Sequence, residues 1–318
     1  MNGCLALDIG GTKTSAALFT TEGRIVDDYV KTIPTPANEG EEAVYQSIKK
    51  LLTHIFEHFG IRREALLGIG VGSPGPLDRT NGIIIHAPLM GWRDFPIAKR
   101  LNADFGLPVS IDNDANLGAL AEQRCGAVQG LRNVLYLTVS TGCGCGIMID
   151  GKIYHGKNDG AGEVGHLSID PEGPECPCGG RGCFELYASG TALTAAMRTD
   201  MASGKSSLAF EAAGYRPEAL SGALLHEAAE KGDAYALELY RREGYYLGIG
   251  IANLFNIFDA EALVLGGGVT KAKRFFCDTL IETAQKRCIQ KLERNQIRYS
   301  ELNDRVVLHG AFFLIKEQ

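Results

Sequence analysis

One short Gly- and Pro-rich segment concentrates residues that can do chemistry. The stretch HLSIDPEGPECPCGGRGCFE contains His166 and three cysteines, and Glu163 and Glu185 flank these residues. Thiol and imidazole groups so placed can bind a metal ion, form a disulfide, act as a redox pair or line an active site. The chain has nine cysteines, an odd number that cannot pair fully, and no signal-peptide pattern at its start. A disulfide framework is therefore disfavoured.

Glycine-rich turns form a second group of candidate residues. Turns beginning at Gly10 (GGTK) and Thr141 (TGCG) follow apolar, strand-like runs, and a third, GGG, begins at Gly266. Backbone N–H groups exposed in such turns bind anions, so two facing turns could hold the phosphates of one nucleotide. No Walker A motif occurs. The match GVGSPG, beginning at Gly70, is followed by a Pro-rich turn and not by a helix, which argues against a dinucleotide-binding motif.

The elements that would position these residues occur twice along the chain. The run from Leu5 to Pro34 predicts three antiparallel strands, and residues 38–59 carry one apolar helical face that ends at Gly60. Two short strands follow, LLGIGVGS and PVSIDND. From Asn133 the strand–turn–strand pattern returns, so that the turns at residues 10–12 and 140–142 correspond. This duplication indicates two related α/β domains and not a solenoid.

The second half of the chain is richer in predicted helix. A long helix is expected over residues 233–259, followed by the strand ALVLGGG and more helix over 271–292. The final VVLHGAFFLIKEQ is expected to be a strand end and a helix that returns to the first domain. We predict a smaller domain from residues 1–112 plus 305–318 and a larger one from residues 113–304.

Composition limits the classes of partner. With 318 residues and 45% hydrophobic content, the chain is too large for one ordinary core. Its net charge of −6, without a basic stripe, argues against a nucleic-acid partner. No apolar run approaches the about 20 residues that cross a bilayer. A cytoplasmic protein without membrane attachment is expected.

Taken in order, the motifs resemble the ROK family of sugar kinases and sugar-responsive repressors. They are Asp8-x-Gly-Gly-Thr, Gly72-Ser-Pro-Gly-Pro, Asp112-Asn-Asp-Ala-Asn, Ser140-Thr-Gly, Glu163-x-Gly-His and Cys176-x-Cys-Gly-x-x-Gly-Cys-x-Glu, then Gly266-Gly-Gly. The resemblance implies the actin-like (ribonuclease H-like) ATPase fold, in which two duplicated α/β domains close over a cleft. The duplication in the sequence agrees with this fold.

The resemblance also implies roles for individual residues. It makes Asp114 the catalytic base; the alternative from the residues alone is that an aspartate at a predicted helix start is a simple N-cap. The implied sugar ligands are Gly75, Asn113, Asp114, Glu163, His166 and Glu185. Asp8 would hold Mg²⁺ through water, and ATP would lie among Asp8, Gly10, Gly11, Thr12, Lys13, Thr141, Gly142, Gly266, Gly267 and Gly268. One structural Zn²⁺ would be bound by His166, Cys176, Cys178 and Cys183.

The expected activity is ATP-dependent phosphorylation of a hexose, glucose or a close relative, at the 6-hydroxyl. The segment HAPLMGW lacks an Asn that glucose kinases of the family commonly carry, so an N-acetylmannosamine or N-acetylglucosamine kinase is the first alternative. Ser140 and Cys145 replace glycines usual in the second phosphate turn, which leaves the ATP affinity open.

A catalytically silent sugar sensor is the second alternative, but Asp114 favours an enzyme, because a sensor needs no base. The family's repressors carry a helix-turn-helix before the first glycine turn, and only seven residues precede Asp8 here. We expect sugar and ATP as small-molecule partners, and a homodimer or homotetramer.

Overall fold

A computed structural model describes residues 3–87 and 90–317. Pro88 and Leu89, in the HAPLMGW segment that bears on sugar identity, lie outside the described residues. The chain forms two compact units: the first lies within Met1–Arg132, Gly146–Gly162 and Glu301–Gln318, and the second within Asn133–Cys145 and Glu163–Ser300. The predicted domain ranges, 1–112 plus 305–318 and 113–304, stay a prediction.

The described chain contains both strands and helices. The strands are β1 (Gly3–Ile9), β2 (Lys13–Thr20), β3 (Ile25–Pro34), β4 (Leu66–Ser73), β5 (Leu77–Asp78), β6 (Ile83–Ala87), β7 (Trp92–Phe95), β8 (Val109–Asn113), β9 (Val134–Val139), β10 (Cys143–Ile149), β11 (Lys152–Ile153), β12 (Ala262–Gly266) and β13 (Ile297–Tyr299). The α-helices are α1 (Glu41–Phe59), α2 (Ile97–Phe105), α3 (Asp114–Cys125), α4 (Gly190–Ala202), α5 (Leu208–Ala212), α6 (Gly222–Glu230), α7 (Ala234–Phe258), α8 (Cys277–Arg287) and α9 (Val306–Lys316).

The first sheet has the strand order β3-β2-β1-β4-β8. Strands β1, β2 and β3 pair antiparallel, as the meander predicted, and β1, β4 and β8 are parallel. A second five-stranded sheet has the order β11-β10-β9-β12-β13, with β9, β12 and β13 parallel. Strand for strand, the second order repeats the first. The duplication read from the sequence is therefore present in the sheet topology.

The apolar core of the first unit lies between its sheet and the helices. Helix α1 buries Val44, Ile48 and Ile55 completely and ends at Gly60, whose φ of 60° is left-handed, as the apolar spacing predicted. A small sheet of β5, β6 and β7 adds Trp92, which stacks on Phe95 with ring centroids 4.4 Å apart. Burial of these side chains supplies most of the driving force for folding of this unit.

Helix α9 explains the glycines of β4. A Cβ on Gly70 would overlap the carbonyl oxygen of Ala311, and one on Gly72 would overlap the Val307 side chain. The Gly-x-Gly pattern in this strand therefore permits close packing of a helix on the sheet. The expected strand end before α9 is wrong: the chain is helical from Val306, after a 3₁₀ turn at Asn303–Arg305. The expected return of this helix to the first unit is confirmed.

The long helix α7 organises the second unit. Asp233 caps it, because its side chain accepts a hydrogen bond from the Ala236 N–H, and the helix ends at Asp259 in a left-handed conformation. Gly244 and Gly248 let α8 approach closely, since a Cβ at either position would crowd Phe276 or Thr283. Within residues 3–87 and 90–317, no helix is long and apolar enough to cross a bilayer.

Candidate active site

One edge of the first sheet collects polar residues. Asp8 on β1 pairs with Gly72 on β4, which in turn pairs with Asp112 on β8. Because these three strands are parallel, their carboxyl ends meet at the same edge. The Asp8 side chain, the loop that contains Gly75 and the Asn113–Asp114 pair are thus brought together in the first unit.

Asn113, and not Asp114, caps helix α3. The Asn113 Oδ1 accepts hydrogen bonds from the Ala115 N–H at 2.9 Å and from the Asn116 N–H at 3.4 Å. Asp114 is the first helical residue, and its Oδ1 accepts a 2.8 Å bond from the Ala115 N–H. The simple N-cap role considered for Asp114 is therefore wrong. A Cβ on Gly75 would lie 3.6 Å from Asn113 Nδ2, so the two predicted sugar ligands are adjacent.

The surroundings of Asp8 raise the pKa of its carboxyl group. Burial, followed by repulsion from the Asp114 carboxylate, raises the pKa of Asp8 to about 7. The Lys13 ammonium opposes this rise, and Asp304 adds a smaller repulsion. A carboxylate whose pKa is raised by a neighbouring carboxylate gains from a cation, so this edge suits a hard divalent ion such as Mg²⁺.

Hydrogen bonds connect the first glycine turn to Thr35, the residue that follows β3. The Gly10 N–H donates to the Lys13 carbonyl at 3.0 Å, and a Cβ on Gly10 would lie 2.9 Å from that same oxygen. The Thr35 hydroxyl donates to the Gly10 carbonyl at 2.7 Å, while its N–H donates to Thr12. Gly11, Thr12 and Lys13 remain at least partly exposed, as a ligand-binding turn requires.

In the second unit, the four predicted metal ligands come together. One ligand atom each from His166, Cys176, Cys178 and Cys183 lies within 4.8 Å of the other three. The cysteine sulfurs of Cys178 and Cys183 are 3.6 Å apart, and His166 Nδ1 is 3.7 Å from the Cys176 sulfur. Three thiols and one imidazole form the soft donor set of a closed tetrahedral zinc site.

Hydrogen bonds within the loop hold this cluster. The Cys176 N–H donates to the Gly180 carbonyl at 2.9 Å, and the Gly180 N–H donates to the Cys178 sulfur at 3.4 Å. This last bond is the main reason that the pKa of the Cys178 thiol is lowered. Burial raises the pKa of Cys183 to about 12, so a thiolate at this position requires a nearby cation.

His166, Cys176, Cys178 and Cys183 form the cysteine cluster. Glu185 lies between this cluster and the second glycine turn. Its Oε1 is 3.5 Å from His166 Nδ1, and a Cβ on Gly142 would be 2.7 Å from its Oε2. Because Nδ1 is the imidazole nitrogen that faces the thiols, Nε2 is the nitrogen left for another ligand. Glu163 precedes a 3₁₀ turn, Val164–His166, and its carbonyl accepts the His166 N–H at 3.1 Å.

A cavity of about 850 Å³ opens beside the second glycine turn, within the second unit. Among the predicted ATP residues, Thr141 and Gly268 line it, together with Ser140. Most of its wall consists of residues that sequence reasoning missed, among them Gly190, Thr191, Thr194, Arg198, Ser221, His226, Glu227, Tyr240 and Lys271. These side chains come from helices whose sequences carry no nucleotide-binding motif, so no local signal identified them.

Other predicted ATP residues lie around this cavity. A Cβ on Gly142 would meet the Glu185 carboxylate, and a Cβ on Gly266 would overlap the Tyr136 hydroxyl. Gly267 needs its left-handed φ of 87° to turn the chain into the cavity wall. Of the two departures from the family pattern, Ser140 faces the cavity and Cys145 is buried in strand β10.

The whole chain can be compared with known proteins. The model of the ROK family matches residues 4–318. This chain belongs to the ROK family. A glucokinase of Halalkalibacterium halodurans is 35% identical over 319 residues, which cover 99% of this chain and 95% of that protein. A putative xylose repressor of a Caldicellulosiruptor species is 30% identical over 312 residues, covering 98% of this chain and 77% of the repressor.

Solved structures of ROK proteins share the fold. A ROK family glucokinase from Streptomyces griseus, in complex with glucose and AMPPNP, has a TM-score of 0.86 at 30% identity, with all of both chains covered. A ROK hexokinase from Thermus thermophilus has a TM-score of 0.80 at 35% identity, covering 98% of this chain and 97% of that one. The actin-like ATPase fold expected from the resemblance is therefore confirmed.

Proposed function

We propose that this protein is an ATP-dependent kinase that phosphorylates a hexose, glucose or a close relative, at the 6-hydroxyl. The observation that carries the proposal is the meeting of Asp8 and Asp114 at the parallel edge of the first sheet. One carboxylate can take a proton while the other attracts a divalent cation. The similarity of the whole chain to glucokinases supports the same activity.

Asp114 is the proposed general base. Phosphoryl transfer has a loose transition state, so positioning and charge neutralisation matter more than base strength. The Asp114 carboxylate would accept the proton of the sugar 6-hydroxyl as that oxygen bonds to the γ-phosphorus of ATP. The bond from the γ-phosphorus to the β–γ bridging oxygen breaks, and ADP leaves. The N-terminus of α3 favours the ionised form of Asp114.

The proposed ligands of the sugar hydroxyls are Gly75, Asn113 and Asp114 in the first unit and Glu163, His166 and Glu185 in the second. Asn113 Oδ1 caps helix α3, which leaves its Nδ2, beside Gly75, to donate to a hydroxyl. Carboxylates accept hydrogen bonds from hydroxyls, and an imidazole can do either. The set therefore suits a polyhydroxylated ligand.

Asp8 is the proposed holder of Mg²⁺, through water, and the glycine turns are the proposed ATP contacts. When bound, the ion neutralises charge on the phosphates. In the first unit the contacts would be Gly10, Gly11, Thr12 and Lys13, whose ammonium could also meet a phosphate. In the second unit they would be Thr141, Gly142, Gly266, Gly267 and Gly268, next to the 850 Å³ cavity.

A structural Zn²⁺ is proposed at His166, Cys176, Cys178 and Cys183. Its role would be to order a loop that is too rich in Gly and Pro to order itself, and to fix the His166 ring. We also propose a cytoplasmic homodimer or homotetramer without nucleic-acid or membrane partners. The predicted domain ranges, 1–112 plus 305–318 and 113–304, belong to the same proposal.

Two other functions remain alternatives. The HAPLMGW segment, which lacks the family's Asn, favours an N-acetylmannosamine or N-acetylglucosamine kinase. The similarity to a xylose repressor favours a sugar sensor without catalysis. Asp114 weighs against the sensor, because sugar binding alone requires no general base.

A coupled assay of ADP release, run over a panel of sugars, tests these proposals. Glucose turnover with the highest kcat/KM is expected, and turnover only with an N-acetylated hexosamine would support the first alternative. Sugar binding by calorimetry without ADP release from any sugar would support the sensor and contradict the kinase. Mass measurement of the product and its resistance or susceptibility to 6-phosphate-specific enzymes would identify the phosphorylated hydroxyl.

A further inference from the structure

Asp112 is a buried carboxylate that the proposed chemistry leaves without a role. Its side chain is fully buried at the end of β8, two residues before Asp114. Oδ1 accepts hydrogen bonds from the Asn113 N–H at 2.7 Å and from Asn116 Nδ2 at 2.9 Å. A carboxylate removed from water requires several hydrogen-bond donors, and the surroundings of Asp112 provide them.

The other carboxylate oxygen binds two cationic or polar side chains from distant parts of the chain. His155 Nε2 lies 2.8 Å from Asp112 Oδ2, and Arg79 Nε lies 3.0 Å from the same oxygen. The Arg79 contact is an ion pair and not a hydrogen bond, because no acceptor is aligned with that N–H among the described residues. Asp112, Arg79, His155 and Asn116 are called here the Asp112 cluster.

Asp159 extends this cluster and fixes the loop that follows Gly75. The Arg79 N–H donates to Asp159 Oδ2 at 3.1 Å, and Arg79 NH1 donates to Oδ1 at 3.4 Å. The Ala161 N–H donates to the His155 carbonyl at 3.1 Å and closes the segment between these two residues. Three stretches of the first unit are thereby tied together: the start of α3, the loop after Gly75, and residues 155–161.

We propose that Arg79 and His155 are positioning residues that act through Asp112 to set the orientation of the Asp114 base. The inference rests on the proposed kinase function. Asn116 lies in the first turn of α3, so its bond to Asp112 Oδ1 fixes how this turn, and with it Asp114, is oriented. A displacement of about 1 Å in a catalytic group can lower turnover by about a hundredfold. Buried ion pairs are weak evidence for a stabilising role, which makes positioning the better explanation.

The test compares His155→Leu with His155→Gln. Leucine removes the donor to Asp112, whereas the glutamine amide can replace Nε2. We expect kcat of His155→Leu to fall about ten- to a hundredfold while the KM for ATP changes less than about threefold. His155→Gln should recover most of the activity. His54→Leu is the matched control, because it removes a similar 2.9 Å bond, to the Tyr29 hydroxyl, elsewhere in the same unit.

Hydrogen exchange provides a readout that does not depend on activity. In His155→Leu, amides of residues 109–117 should exchange faster than in the parent and in His54→Leu. Unchanged exchange there, or a parental kcat, would overturn the inference. If His155→Leu does not fold, Arg79→Met is the second variant, because the Arg79 side chain is partly exposed. Unchanged exchange or a parental kcat in Arg79→Met would then overturn the inference. If the parent protein phosphorylates no hexose, the proposed function is contradicted. In that case the hydrogen-exchange data alone test the inference.

Discussion

The carboxylate site of the first unit and the cysteine cluster of the second differ in how far apart their residues lie in the chain. The four cluster residues fall within 18 positions, His166 to Cys183, and local hydrogen bonds hold them. Asp8 and Asp114 are more than 100 residues apart and meet only because β1, β4 and β8 are parallel neighbours. We therefore expect the loop site to depend on its proposed ion, whereas the site at the sheet edge depends on the fold.

The largest effect is expected in the carboxylate site. Asp114→Asn should lower turnover about a hundredfold or more, the usual range for losing a positioned base, while sugar binding survives. Steady-state kinetics and calorimetry measure the two quantities. Asp104→Asn is the control, because it makes the same change at a partly exposed carboxylate paired with Lys49 in the same unit. Equal turnover in Asp114→Asn and the parent would remove Asp114 from the role of base.

The corresponding change in the cysteine cluster is Cys178→Ser. With one thiolate lost, we expect bound zinc to fall well below one per chain and phosphorylation to drop by about tenfold or more. Nucleotide binding should weaken less, because the proposed ATP contacts are the glycine turns at residues 10–13, 141–142 and 266–268, elsewhere in the sequence. Metal analysis, nucleotide calorimetry and thermal melting measure these effects.

Cys125→Ser is the control for the cluster, since Cys125 is an exposed cysteine of the first unit. Stoichiometric zinc or normal phosphorylation in folded Cys178→Ser would contradict the link between metal and sugar pocket. Parent protein without zinc, when prepared without chelator, would contradict the metal site itself.

The pH dependence of stability tests the carboxylate pair. The pKa of Asp8 is raised to about 7 in the folded protein, from an ordinary value of 3.8. Its contribution to the free energy of unfolding is therefore fully present below pH 3.8 and is lost as the pH rises through about 7. Without Mg²⁺, we expect a loss on the order of 2 kcal/mol between pH 5 and pH 7.5. Urea unfolding measures it.

Asp8→Asn should lack this part of the pH dependence, because an amide does not titrate. Added Mg²⁺ should stabilise the parent at pH 7.5 and leave Asp8→Asn nearly unchanged. Identical pH profiles for the two proteins would show that Asp8 is not the titrating group.

The smallest effect is expected at the second glycine turn. Ser140→Gly restores the residue usual in the family, and we expect the Kd for ATP to change by about two- to fivefold, the scale of one modest polar contact. Cys145→Gly is the comparison, because Cys145 is buried in β10 and its loss should lower the melting temperature more than it changes ATP binding. A shift in ATP affinity above about tenfold for Ser140→Gly would mean that the serine is a principal nucleotide contact.

Local patterns in the sequence predicted much of the fold. The three-strand meander, helix α1 with its end at Gly60, and the long helix α7 follow from apolar spacing and caps within each segment. The strand predicted before α9 was wrong, since a short apolar run such as VVL fits a buried helix as well as a strand. The repeated turns predicted two related α/β domains, and the two sheets have matching strand orders.

The sequence by itself predicted the proposed metal-ligand set and determined the glycine turns and the polar residues at the ends of β1 and β8, because each depends on neighbours in the chain. Only the tertiary structure decided that Asn113 caps α3, that Asp304 faces Asp8, and that Arg79 and His155 bind Asp112. It also decided the helix residues that line the cavity of about 850 Å³. The Asn113 cap is local, but the sequence could not choose between Asn113 and Asp114, because both residue types are good N-caps. The other contacts join residues far apart in the chain, and a single sequence carries no periodicity or spacing for such pairs.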